Sequence, residues 1–146
     1  MCWNVILLKG SNMKLRIKGD SLRIRVSQPE MARLLQSGRI EETVHFGEES
    51  DSRLSYALEH VESEEEISLR HRPQDVTFVL STLAARRWAE GDQVGIYGDM
   101  QAGEWKLSLS VEKDFACLDA SAEDNKDTFP NPRSGTGCKD PASDNL

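Results

Sequence analysis

From Met13 onward the chain alternates: Leu15 and Ile17 are set between Lys14, Arg16 and Lys18, and Leu22, Ile24 and Val26 between Ser21, Arg23 and Arg25. A period of two sends successive side chains to opposite faces, so these runs predict two half-buried strands. Gly19-Asp20 between them tolerates the positive φ of a tight hairpin turn. The period then changes to that of a helix in VSQPEMARLLQSG, where Met31, Leu34 and Leu35 share one face. Ser27 and Glu30 stand at capping-box spacing at its start, Pro29 fits the first turn, where an N–H has no helical partner, and Val26 can staple onto Met31. Gly38 closes the helix.

Ile40 to Phe46 and Leu54 to Val61 read as two further strands, joined by the polar loop GEESDS. A second round follows. Ile67 to His71 and Val76 to Leu80 are strands around Arg72-Pro73-Gln74-Asp75; Ser81 or Thr82 caps a short helix through Trp88, and Gly91 ends it. Gln93 to Tyr97 and Trp105 to Val111 complete the round, the last with strict alternation of Trp105, Leu107, Leu109 and Val111. Set side by side, RVSQPEMARLLQSGRIEETVHFG and FVLSTLAARRWAEGDQVGIYGD share the order strand end, cap, amphipathic helix, glycine, strand. The expected fold is therefore α+β: a duplicated ββαββ unit, eight mostly antiparallel strands curled toward a barrel, and two short helices covering it.

The two ends depart from this pattern. Residues 1–12, MCWNVILLKGSN, neither alternate nor carry a cap, and read as a loose arm or an upstream start ahead of Met13. Their apolar run Trp3 to Leu8 is short for an export signal, with no positive charge before it and no small-x-small site after it. Residues 13–118 form the single expected domain. Beyond Asp119 the composition turns to Ala, Ser, Asn, Asp, Pro and Gly, which cannot bury enough apolar surface to offset ordering entropy. Residues 119–132 are an acidic strap in which Phe129, stiffened by Pro130 and Pro132, can dock its ring on the sheet. Residues 133–146 are expected to be a disordered tail.

A chain of 146 residues can close one hydrophobic core without staples. Its formal net charge of −7 opposes non-specific binding to nucleic acid or to an anionic membrane, and no apolar run reaches the length of a bilayer span. Cys2, Cys117 and Cys138 are an odd, scattered set, which reads as reduced thiols in a cytoplasmic protein. As a metal or redox pair, Cys117 and Cys138 supply two ligands where structural zinc takes four, so neither metal nor stable bridge is expected.

Lys14, Arg16, Lys18, Arg23 and Arg25 project from the polar face of the first hairpin, within about 15 Å of one another at the rise of a strand. They are the candidate ligand-binding residues, and a small anion is the partner they would take. The simpler alternative is cross-strand pairing with acids such as Glu41 and Glu59, because residues 41–66 hold ten acids and one arginine, Arg53. Glu62 and Glu64-Glu65-Glu66 do not have the ligand spacing of a calcium loop and read as a solvated turn. His45, His60 and His71 lie on three different strands without metal-ligand spacing. No nucleophile elbow, phosphate loop or dinucleotide fingerprint is present, so no catalytic residue, metal site or cofactor is expected. Gly95 and Gly98 read as bends in a strand, and Tyr56, Tyr97, Trp88 and Trp105 as packing residues.

MKLRIKGDSLRIRVS near the start, and VEKDFACLD, ED and FPNP near the end, resemble a family of small uncharacterised bacterial proteins, through K-x-R-I-K-G-x-S-x-R-x-R and V-E-K-D-F-x-C-L-D. The resemblance runs from Met13 to Pro132 and implies that Met13 begins the domain and that Cys117 and Asp119 belong to it. A looser architectural likeness is to triphosphate-tunnel enzymes, whose first strand carries E-x-E-x-K; Lys14 to Lys18 lack those acids here. Three functional readings follow: a binding protein without catalysis, an enzyme or sensor handling a phosphorylated small molecule on the basic hairpin, and a metal or redox protein using the thiols.

Overall fold

The structure, a computed structural model, describes residues 13–115 and 129–130. The expectations for the arm, for most of the strap, for the tail and for Cys2, Cys117 and Cys138 lie outside the described residues. Ten elements follow in order: β1 (Lys14–Lys18), β2 (Ser21–Val26), α1 (Gln28–Ser37), β3 (Arg39–His45), β4 (Arg53–Val61), β5 (Ile67–Arg72), β6 (Asp75–Ser81), α2 (Thr82–Glu90), β7 (Gly95–Ala102) and β8 (Trp105–Lys113). The order ββαββ thus occurs twice in an α+β fold.

The first hairpin turns at Gly19, whose φ of 54° is open to glycine at little cost. At the start of α1 the Glu30 carboxylate turns back to accept from the Ser27 N–H at 2.8 Å, with Pro29 in the first turn. Gly38, at φ 87°, closes α1 by donating its N–H to the Leu34 carbonyl. In α2 the Ser81 hydroxyl accepts from the Ala84 N–H at 3.0 Å.

The strands form two separate sheets, β1-β2-β8-β7 and β3-β4-β6-β5, which do not close into the expected barrel. In each sheet two antiparallel hairpins meet through a parallel central pair, β2 with β8 and β4 with β6. Each half of the chain gives one hairpin to each sheet, so every sheet ends on two edge strands instead of closing on itself. One core runs through both sheets and both helices, from Ile24 and Leu109 through Leu34 to Leu58, Phe78 and Trp88. Trp88 is fully buried, and its indole N–H donates to the Val94 carbonyl at 3.0 Å, so its burial leaves no polar atom unmet.

Two sequence expectations change. β7 does not stop at Tyr97 but continues through Gly98 to Ala102, paired with β8 throughout. A Cβ at Gly98 would lie 2.5 Å from Ile67 Cγ2, so this glycine admits the start of β5 against β7. Tyr97 and Trp105 do not pack: they are 54% and 65% exposed, Trp105 at a hairpin end and Tyr97 on an outer face. Phe129 forms a parallel bridge with Phe115, donates its N–H to the Asp114 carbonyl at 2.8 Å and packs partly buried on the core.

Candidate functional site

Aligning the helix caps Ser27 and Ser81, and following the strand registers outward, gives each position of one half a counterpart in the other. On the outer faces Arg16 corresponds to Arg70, Lys18 to Arg72 and, on the central strands, Glu112 to Glu59. Each sheet therefore carries a glutamate in the middle of its polar face with arginines about it.

On the first sheet the register sets Lys14 beside Arg25, Arg25 beside Glu112 and Glu112 beside Gly95. The next row is Arg16, Arg23, Ser110 and Tyr97. Glu112 Oε1 lies 3.5 Å from Arg23 Nε and 3.6 Å from Arg25 Nε, while Oε2 accepts from the Tyr97 hydroxyl at 2.8 Å. Gly95 clears that space, since a Cβ there would meet Glu112 Cγ at 2.9 Å and the Tyr97 hydroxyl at 3.0 Å. Burial of its hydroxyl, the hydrogen bond to Glu112 and the charge of Glu112 push Tyr97 up to about 12. Lys14 pairs with Asp114 at 2.9 Å, and Arg16 also has a partner. The hairpin cations thus meet Glu112 and Asp114; the expected partners Glu41 and Glu59 lie on the other sheet.

There Glu59 is held from both sides. Arg39 Nη1 reaches Oε1 at 2.6 Å, and Arg70 donates through Nη1 and Nη2 to Oε2 and Oε1 at 3.0 and 3.1 Å. The bonds from Arg70, then those from Arg39, keep the Glu59 carboxyl below its usual range. Arg53 donates to Asp75 and to the Ser55 hydroxyl. Beside this network lies an open depression of about 280 Å³, lined by Arg39, Arg70, His71, Arg72, Asp75 and Thr77. Among the described residues Arg72, at the end of edge strand β5, has no side-chain partner. Two guanidinium groups oriented by Glu59 and a third that is uncommitted can present forked donors to a small anion.

A family model described as a family of unknown function (DUF7009) matches residues 13–133. The chain belongs to that family. The match begins at the first described residue and covers every described strand and helix, all of which lie in the DUF7009 domain. No curated protein and no solved structure matches the chain.

Of the sequence-derived candidates, the fold brings Arg23 and Arg25 together at Glu112, places Lys14 at Asp114, and leaves Lys18 at the exposed end of β1. Their faces point away from the buried Ile24 and Val26, on a sheet that does not close on itself among the described residues. Arg39, Arg70 and Arg72 were not singled out, although Arg70-His71-Arg72 is a visible basic run. His45 is exposed at the end of β3, and His60 Nδ1 lies 3.0 Å from the Thr82 hydroxyl, so the histidines stay apart. Among the described residues no three His, Cys, Asp or Glu side chains converge as metal ligands, and no helix is long and apolar enough to cross a membrane.

Proposed function

We infer that this is a small binding domain of the bacterial cytoplasm, acting without catalysis, and that its ligand is a small anion seated in the depression on the outer face of β3-β4-β6-β5. The observation that carries this reading is the convergence of Arg39, Arg70 and Arg72 on one depression, with Arg72 uncommitted among the described residues. The cytoplasmic setting rests on the scattered cysteines and the bacterial origin on the sequence resemblance. Register equivalence between the halves supports a duplicated unit whose two polar faces have diverged: one closes its glutamate with a tyrosine, the other leaves a basic depression open.

Thermal melts with inorganic phosphate, triphosphate and a nucleotide test this. A ligand at a hundred times its Kd adds about 2.7 kcal/mol to stability. The expected result is stabilisation by one of these anions that is lost in Arg72→Ala and in Arg70→Ala and kept in an Arg16→Ala, Arg23→Ala variant. The reverse dependence moves the site to the first hairpin, and no stabilisation by any anion rules out this reading.

A further inference from the structure

The two halves differ most in one corner of the core. With the caps aligned, Ala84, Ile67, Gly98 and Leu109 of the second half form an apolar contact in which Ile67 sits on Gly98. Their counterparts in the first half are Glu30, Met13, Glu42 and Tyr56. Where the second half has an apolar corner, the first has two neighbouring carboxylates and a phenol, of which Glu42 and Tyr56 bond the backbone of Met13.

The details of that exchange are specific. In the second half the Ser81 N–H donates to the carbonyl of Glu66, the residue before β5, at 3.1 Å. In the first half the equivalent Ser27 N–H turns to Glu30 Oε1 at 2.8 Å, so a side chain supplies the acceptor that the backbone ahead of β5 supplies in the other half. Glu30 is fully buried, and its second oxygen, Oε2, has no partner. Glu42 accepts a hydrogen bond from the Met13 backbone, and the Tyr56 hydroxyl donates to the Met13 carbonyl at 2.8 Å. Met13 itself is 2% exposed. A peptide N–H offers one hydrogen and no charge to these two acids; an ammonium offers three hydrogens and a positive charge.

We propose that Glu30 and Glu42 form a socket for a primary ammonium, and that its occupant is the α-ammonium of a chain beginning at Met13, whose carbonyl Tyr56 anchors. The ammonium would donate to Glu42 and to the unpartnered Glu30 Oε2, turning a buried acid without a partner into part of a buried ion pair. The groups facing Glu30 are Arg33 on its own helix, Glu42 from β3 and the Tyr56 hydroxyl from β4. Burial, opposed by the bonds from Ser27, raises the Glu30 carboxyl to about 7, as expected of an acid whose counter-charge is missing. The match of the family model from residue 13 fits the same starting point.

Every described strand and helix and every described member of the core cluster lie at or after Met13, so a chain of residues 13–146 keeps all of them. That chain, with a free amino terminus, is to be compared at pH 7 with the 146-residue chain and with a copy whose Met13 amine is acetylated. The shorter free chain should melt cooperatively and above both others, and Glu42→Gln should remove the difference. Its α-amine should react with an acylating reagent at least about ten-fold more slowly than the same amine in a Met-Lys-Leu-Arg peptide, the equivalent of one pKa unit. This second readout needs no variant. Reaction at the peptide's rate, a melt no higher than that of the acetylated chain, a difference that survives Glu42→Gln, or failure of the shorter chain to fold overturns the proposal.

Discussion

Glu30 ties local signal to global consequence at a single residue. Its spacing from Ser27 marks a helix start, and one carboxylate oxygen fulfils that role; the other is carried into the core by the same rotamer. An acid with a raised pKa in the folded state binds its proton there more tightly than in the unfolded chain. Stability is therefore greater below the unfolded value and is lost as pH rises from 4.5 through about 7. Denaturant melts of the 146-residue chain across that window should show stability falling by up to about 3 kcal/mol, and Glu30→Gln should flatten the slope. A slope unchanged by the substitution would assign the pH dependence elsewhere. The Ser27–Glu30 pair was legible from spacing; the unpartnered oxygen was not, because it depends on Glu42 and Tyr56 arriving from strands distant in sequence.

At the scale of elements, the hairpins and helices follow local chemistry. Ser81 is the cap of α2 by a direct bond to Ala84, and Ser81→Ala should cost about 1 kcal/mol in chemical denaturation without altering the fold, as removal of such caps does. A loss below a few tenths would mean that backbone bonds alone hold that helix start. β7 shows where local reading stops. Gly98 has the local signature of a break, yet the strand continues because β8 pairs along its whole length and Ile67 needs the space a side chain would take. Trp105 carries the alternation of a core strand but lies next to the Gly103-Glu104 turn, beyond the reach of the opposing sheet.

For the molecule as a whole, the decisive feature is that neither half owns a sheet. β1 and β2 pair with β7 and β8, and β3 and β4 with β5 and β6, so the central parallel contacts join the halves in both layers. Residues 13–66 and residues 67–146, expressed apart, should show no cooperative melt as monomers. Mixed, they should regain it, with circular dichroism reporting the melt and gel filtration the stoichiometry. A half that unfolds cooperatively as a monomer would contradict the interleaved sheets. The same interleaving sets Glu112 of the second half against Arg23 and Arg25 of the first in one sheet, and in the other lets Glu59 be shared by Arg39 of the first half and Arg70 of the second.

The sequence by itself determined the elements: alternation marked the strands, the 3.6-residue period and caps marked the helices, and their order marked an α+β chain. These are local properties, set by side-chain direction and backbone preference within a few residues. Only the tertiary structure decided that the strands form two open sheets instead of a barrel. It also decided that the hairpin cations meet Glu112 and Asp114, that Arg39, Arg70 and Arg72 share a depression, and that Glu42, which bonds the Met13 backbone, lies near the buried Glu30. Each of these depends on which strand lies beside which. Alternation assigns a residue to a face but leaves the identity of the neighbouring strand open, and the charge of that neighbour decides whether a face is neutralised or left to bind.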